Sequence, residues 1–239
     1  MLLAYAGASA PAIARHLIDL FGIVTHTEDE LVVRKRAESV ALAQRPVSQG
    51  GPDLASLWYV GVQPALRQLH ETGVDIALCT SNLRPITTAV LEAGGVDDIL
   101  SKRIVQEDIG NERMKPDPWP YTCAVCPAHL QAHRVCARLG MRVTWHIALT
   151  ADCARQLGLV HGGDSSRTVA FEDSAAGVRS AASAEIAQVL GVCNNCESDA
   201  EAVEVAQQLM DAGATGVFRT TVDAIDWLLK SQNSAAAKL

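Results

Sequence analysis

An α/β fold, a parallel sheet flanked by helices with a smaller helical lobe at the amino terminus, is predicted by three features of the 239-residue sequence. From Val60 onward, short apolar runs alternate with stretches of helical periodicity, the pattern of βαβ units. Runs such as 74–79 are almost continuously apolar, as expected of strands covered on both faces. Before residue 58 the chain is helical in pattern and poor in strands. The expected organisation is a helical lobe over 1–57, an α/β core over 58–230 with an atypical insert at about 125–152, and a frayed tail over 231–239.

The lobe begins with Pro11 in a first helical turn after Ser9, followed by Ile13, Leu17, Leu20 and Phe21 on one face. A second helix starts at Thr27, with Glu30 three residues on as in a capping box, and runs to Gln44. The segment 46–52, rich in Pro and Gly, is a loop. In the core, Gln63 to Thr72 forms a helix ending at Gly73, and a strand ends at Cys79. A helix over Pro85–Ala93 stops at Gly94 and Gly95, and a short strand falls within Ile99–Val105. Further strands are expected before Glu172, around Val192 and at Gly216–Phe218, with helices over Glu201–Ala212 and Val222–Leu229.

Composition narrows the function. Hydrophobic residues make up 49% and charged residues 20%, and the formal net charge of −7 argues against nonspecific nucleic-acid or acidic-membrane binding. A small anionic ligand stays compatible, because a local cation overrules global charge. No apolar run is long enough to span a bilayer and no cleavable leader is recognisable, so a cytoplasmic protein is expected. Seven cysteines, an odd number, are scattered through the chain. That is not a disulfide framework, and reduced thiols are expected, including Cys193 and Cys196. Oligomeric state is not legible.

Three stretches carry chemical character. Thr80-Ser81-Asn82 closes a strand before a helix and offers hydroxyls and backbone N–H groups to an anion, although Ser and Asn are also common helix caps. Lys115 precedes Pro116, which biases it to an extended conformation. From there its ammonium can project towards a phosphate, or lie solvated in a turn. Thr168–Phe171 is an apolar run ending in Glu172 and Asp173, followed by the small-residue helix from Ser174. Carboxylates at the carboxyl end of a strand suit a hard cation, and equally suit a helix N-terminus.

Together, Leu78-Cys79-Thr80-Ser81-Asn82, Lys115-Pro116-Asp117-Pro118 and Phe171-Glu172-Asp173-Ser174-Ala175-Ala176-Gly177 resemble, in order and setting, the second, third and fourth motifs of haloacid dehalogenase-like hydrolases. The resemblance is to the phosphoglycolate phosphatase and β-phosphoglucomutase branch, and covers Val60–Tyr121 and Cys153–Leu229. It implies a Rossmann-like parallel sheet with a helical cap and a phosphatase acting on a small phosphorylated metabolite. It makes Thr80 the hydroxyl that binds the transferring phosphoryl group, with Ser81 and Asn82 beside it, and Lys115 the cation that offsets its charge. Glu172 and Asp173 become carboxylates that hold Mg²⁺, and Ser9, Arg34 and Lys35 face the substrate from the cap. Members of the mutase branch usually carry Arg where this chain has Ala10, which weakens a sugar-phosphate mutase assignment.

The departure from the family pattern is the missing nucleophile. The family attacks phosphorus with the first Asp of an Asp-x-Asp pair, and no such pair occurs in the 239 residues. Leu3–Pro11 resembles the middle of the family's cap, so the expectation is an amino-terminal truncation with the nucleophile strand lying before Met1. The chain would then be inactive, with Mg²⁺ binding in doubt. The alternative is a non-catalytic relative that binds a phosphorylated ligand or a protein partner.

The stretch 125–152 is foreign to the pattern. It and its border hold Cys123, Cys126, His129, His133, Cys136 and His146, but their spacing matches no zinc module. A translated intron is one account, since Val125-Cys126 is encodable by a common donor sequence; a local duplication related to Cys153–Gly158 is another. Either account expects a poorly packed excursion, helical over His129–Leu139.

Overall fold

The computed structural model describes residues 10–74, 76–110, 113–123, 147–149 and 168–236. Helix α1 (Ala10–Phe21) and helix α2 (Glu28–Ala43) form the amino-terminal pair. The capping box at the start of α2 is present: the Thr27 hydroxyl accepts from the Glu30 N–H, and the Glu30 carboxylate accepts from the Thr27 N–H at 2.8 Å. Ala10, Ala14 and Val32 are the buried contact between the two helices, and Arg15 forks onto Glu28 at 2.6 and 3.0 Å. The lobe leans on the core through α2, which lies against α4 (Arg84–Ala93).

The core is a six-stranded sheet in the order β2-β1-β3-β4-β5-β6, with β1 (Ala77–Cys79), β2 (Lys102–Ile104), β3 (Ile147–Leu149), β4 (Val169–Glu172), β5 (Gln188–Val192) and β6 (Gly216–Phe218). Each strand presents alternate residues to opposite faces. Leu78, Val169, Phe171, Leu190 and Val192 join one buried cluster with α3 (Val62–Glu71), α4 and α9 (Thr221–Ala236). Ala77, Cys79, Ala170 and Val189 join the other, with α7 (Ala175–Ser183) and α8 (Asp199–Asp211). Double coverage explains why these strands read as unbroken apolar runs. Short helices α5 (Gln106–Ile109) and α6 (Trp119–Cys123) complete the order. The last helix reaches Ala236, past Leu229 where the apolar periodicity ends.

The sheet is parallel except at one place. The pairs β1–β2, β4–β5 and β5–β6 are parallel, whereas β3 is antiparallel to both its neighbours. It comes from the stretch expected to be a poorly packed excursion, and its backbone lies in the middle of the sheet. The expected helix over 129–139 and the Cys/His set from 123 to 146 lie outside the described residues. From β1 the chain winds outward to β2, and from β4 it winds the other way to β5 and β6. The reversal therefore falls between β1 and β4, and ligands of open α/β sheets bind outside the strand ends at such a switch.

A junction residue ties lobe to core. Trp58 follows the turn Leu54–Leu57, is 7% exposed, and donates its indole N–H to the Val90 carbonyl at 3.2 Å. Gly94 lies under the indole, where a Cβ would overlap the ring. This is a packing reason for glycine at a helix end whose φ of −80° any residue adopts.

Candidate functional site

Thr80 follows β1 at the switch point. Its N–H continues the ladder to the Ile104 carbonyl at 2.9 Å, and its hydroxyl oxygen accepts from the Asn82 N–H at 3.1 Å. A hydroxyl that accepts one hydrogen bond still carries a hydrogen to donate. Ser81 and Asn82 share the turn, both half-buried. The expected supply of helix N-terminal N–H groups is partly spent: the Arg84 N–H, at the start of α4, is taken by both Glu107 oxygens at 2.9 and 3.0 Å.

Lys115 is not a solvated turn lysine. Its side chain is 6% exposed and its ammonium contacts the Glu172 carboxylate, whose side chain is 0% exposed. Tyr121, on the first turns of α6 and fully buried, donates its hydroxyl to the same Glu172 oxygen, Oε1, and lies 3.4 Å from the Lys115 Nζ. The ammonium stands 5.1 Å from the centre of the Tyr121 ring, within cation–π range. The lysine loop is fastened on both sides. Ser180 of α7 donates to the Asp117 carbonyl, the Cys79 thiol to that of Pro120 at 3.5 Å, and the Gln106 amide to the Met114 sulfur at 3.3 Å. Gln106 in turn donates its N–H to the Asn82 carbonyl at 3.0 Å, which links the lysine loop to the Thr80 turn.

Glu172 and Asp173 end β4. The capping role belongs to Ser174, whose hydroxyl accepts from the Gly177 N–H at 3.1 Å, so helix capping does not account for the two acids. Gly177 walls the second Glu172 oxygen, where a Cβ would overlap Oε2. Asp173 accepts from the Asn195 amide at 2.9 Å, and the Asn195 carbonyl oxygen accepts from the Tyr59 hydroxyl. Asn195 stands in the Cys193–Cys196 turn after β5, which Arg219 holds by donating to the carbonyls of Cys193 at 2.7 Å and Cys196 at 3.0 Å. Both cysteines are reduced and buried, and burial pushes the Cys193 thiol up to about 11. Burial also pushes the Glu172 carboxyl up to about 8, against the opposing pull of Lys115 and with a further push from Asp173. Asp173 rises to about 6 for the same reason, against Lys115 and the Asn195 hydrogen bond.

The structure thus brings Lys115, Glu172 and Asp173 together, with Thr80, Ser81 and Asn82 on the adjoining turn. Arg34 and Lys35 are exposed on α2, whose main contacts run to α1 and α4, and Ser9 lies outside the described residues. Sequence reasoning missed Tyr121, Tyr59 and Asn195. Tyr121 had a signal, a buried-type aromatic one helical turn after the proline loop; Tyr59 and Asn195 meet only through the tertiary fold.

The fold is a doubly wound α/β domain with a hydroxyl turn, a buried lysine and paired acids at its switch point, the place where open α/β sheets bind their ligands. Residues 47–137, which contain the Thr80 and Lys115 motifs, match the family model of haloacid dehalogenase-like hydrolases. Among solved structures, a protein from Thermotoga maritima described as a beta-phosphoglucomutase is similar, with 21% identity and a TM-score of 0.49. The similarity covers 72% of this chain and 60% of that one. No curated protein matches. No described helix is long and apolar enough to cross a membrane.

The family likeness implies Mg²⁺, and two buried carboxylate oxygens here, Glu172 Oε2 and Asp173 Oδ1, accept no hydrogen bond. Two carboxylates are the right donor type, but no cluster of three or more Asp, Glu, His or Cys side chains suited to a metal occurs among the described residues. Lys115 and Tyr121 both donate to the Oε1 oxygen of Glu172.

Proposed function

We propose that this chain is a haloacid dehalogenase-like domain that binds the phosphoryl group of a small phosphorylated metabolite and does not turn it over. The observation that carries the reading is the buried Lys115 ammonium, held by a loop fastened to both the Thr80 turn and the β4 acids. A phosphoryl group at this end of the sheet would receive the Thr80 hydroxyl and the Lys115 ammonium, with the Ser81 and Asn82 turn beside it. A lysine ammonium is suited to the several oxygens of such a group.

Turnover requires a nucleophile, and the Asp-x-Asp pair that serves this family is absent from the sequence. Glu172 is ill suited to replace it, because its carboxylate is sealed behind Gly177 and hydrogen-bonded by two donors. Asp173 is held by Asn195 and is favoured in its neutral form at mildly acidic pH.

An assay with p-nitrophenyl phosphate and Mg²⁺, followed by ³¹P NMR of the same mixture, tests both halves. The expected result is a broadened ester resonance with no release of nitrophenol above buffer. Turnover that disappears in Asp173→Asn contradicts the non-catalytic half, and an unbroadened resonance contradicts the binding half.

A further inference from the structure

We propose that Cys193 and Cys196 form a redox couple, a dithiol that a small-molecule disulfide such as oxidised glutathione converts to an intramolecular disulfide, closing covalently the turn that carries Asn195. No ligand of the strand-end site enters the couple, so it stands apart from the phosphoryl-binding reading.

Three features bring the two sulfurs to one another. The Cys196 N–H donates to the Cys193 carbonyl at 3.2 Å, which makes 193–196 a hydrogen-bonded turn. Such a turn holds its first and last Cα atoms within about 7 Å, and a disulfide spans about 4.4–6.8 Å between them. The thiols also interact directly, each perturbing the ionisation of the other. Arg219 clamps the turn by donating to the carbonyls of Cys193 at 2.7 Å and Cys196 at 3.0 Å, so closure asks for side-chain rotation more than backbone movement.

The two thiols are not equivalent. Cys193 follows directly on β5, and its thiol donates to the Ala202 carbonyl at 3.7 Å within the packed layer. Cys196 is buried too, but exposed residues, Glu197 to Ala200, follow it at once. Burial raises both thiols, Cys193 to about 11, with Glu201 adding to the rise at Cys196 and Arg219 pulling both back. Cys193 lowers Cys196, and Cys196 is therefore the attacking sulfur. Its thiolate attacks one sulfur of the glutathione disulfide, releases one glutathione thiolate and leaves Cys196 in a mixed disulfide. The Cys193 thiolate then attacks the Cys196 sulfur and expels the second glutathione thiolate. The two cysteine protons end on the two glutathiones; the cysteine pair loses two electrons and the glutathione disulfide gains them. Asn195 lies inside the ring so closed, with its amide on Asp173 Oδ2 at 2.9 Å, so the couple fixes a residue that holds an acid of the candidate site.

The full native chain is incubated with millimolar oxidised glutathione, alkylated, digested with trypsin and weighed without reductant. No Lys or Arg lies between Arg179 and Arg219, so one peptide, 180–219, carries both cysteines and no others. The expected peptide is lighter by two hydrogens and takes no alkylating agent, and dithiothreitol reverses both. Cys193→Ser, which removes the resolving sulfur, is expected to stop at a glutathione adduct on Cys196. Amide exchange over 194–196 is expected to slow ~10-fold or more in the oxidised chain, because the closed ring restricts opening of the turn. A wild-type peptide that stays fully alkylatable, holds glutathione without closing, or links to a cysteine outside 180–219 overturns the proposal. Closure with unchanged exchange overturns the claim that it fixes the Asn195 turn. The wild-type peptide decides the matter if the variant does not fold.

Discussion

At the scale of single residues, Glu172 and Asp173 impose a pH dependence on folding. In the unfolded chain their carboxyls return to ordinary values of 4.5 and 3.8, whereas in the fold burial holds them at about 8 and about 6. A carboxyl raised on folding binds its proton more tightly in the native state, so its contribution is intact below the unfolded value and is lost as pH rises through the folded one. Stability should therefore fall between pH 5 and 8, with Asp173 contributing up to about pH 6 and Glu172 continuing to about pH 8. The limiting slope is ~1.4 kcal/mol per pH unit for each group. Urea unfolding at several pH values in this window measures it, and Glu172→Gln should flatten the curve above pH 6. A wild-type stability that rises with pH would show that the carboxyls are ionised in the fold at lower pH than burial allows. Lys115, Glu172 and Asp173 were legible as candidates because strand ends and a proline loop mark them locally. Tyr59 and Asn195 were not, because 136 residues separate the partners and nothing local to either announces the pairing.

At the scale of elements, most of the architecture followed from period and punctuation. The capping box at Thr27 and the strand Gly216–Phe218 fall where the sequence places them. The β1 strand is shorter than its apolar run, Ala77–Cys79 within 74–79, because apolar character reports burial and not ladder hydrogen bonds. What could not be read was β3, since three residues in a stretch without sheet periodicity carry no signal. Yet the pairs Ile147–Phe171, Ala148–Ala170 and Leu149–Val169 join β3 to β4, and Leu78–Ile147 joins it to β1. Among the described strands it alone connects the half of the sheet that ends in Thr80 to the half that ends in Glu172. Ala148→Pro would remove a backbone donor from a central strand, where proline is not accommodated. The expected outcome is a loss of ~3 kcal/mol or more, seen as a lowered urea midpoint. An unchanged midpoint would mean that the two halves hold together without this strand.

At the scale of the whole molecule, two half-sheets meet around one polar point. The pair of lobe helices meets the core through α2 against α4, Trp58 is packed on the same α4 through the Val90 carbonyl, and the next residue, Tyr59, reaches the Asn195 amide that holds Asp173. Packing thus leads from the lobe junction to the site in two consecutive residues. The lysine loop does the same from the opposite side, through Ser180 and Cys79. The global charge of −7 opposes an anionic ligand, so any phosphoryl binding has to come from this local arrangement. The most direct measurement is calorimetric titration of inorganic phosphate, in a buffer containing Mg²⁺, into the unaltered chain and into Lys115→Ala. The account predicts binding by the former and a loss of about 1.5–3 kcal/mol, tenfold or more in affinity, in the latter. Equal affinity in the two proteins, or binding in neither, would contradict it.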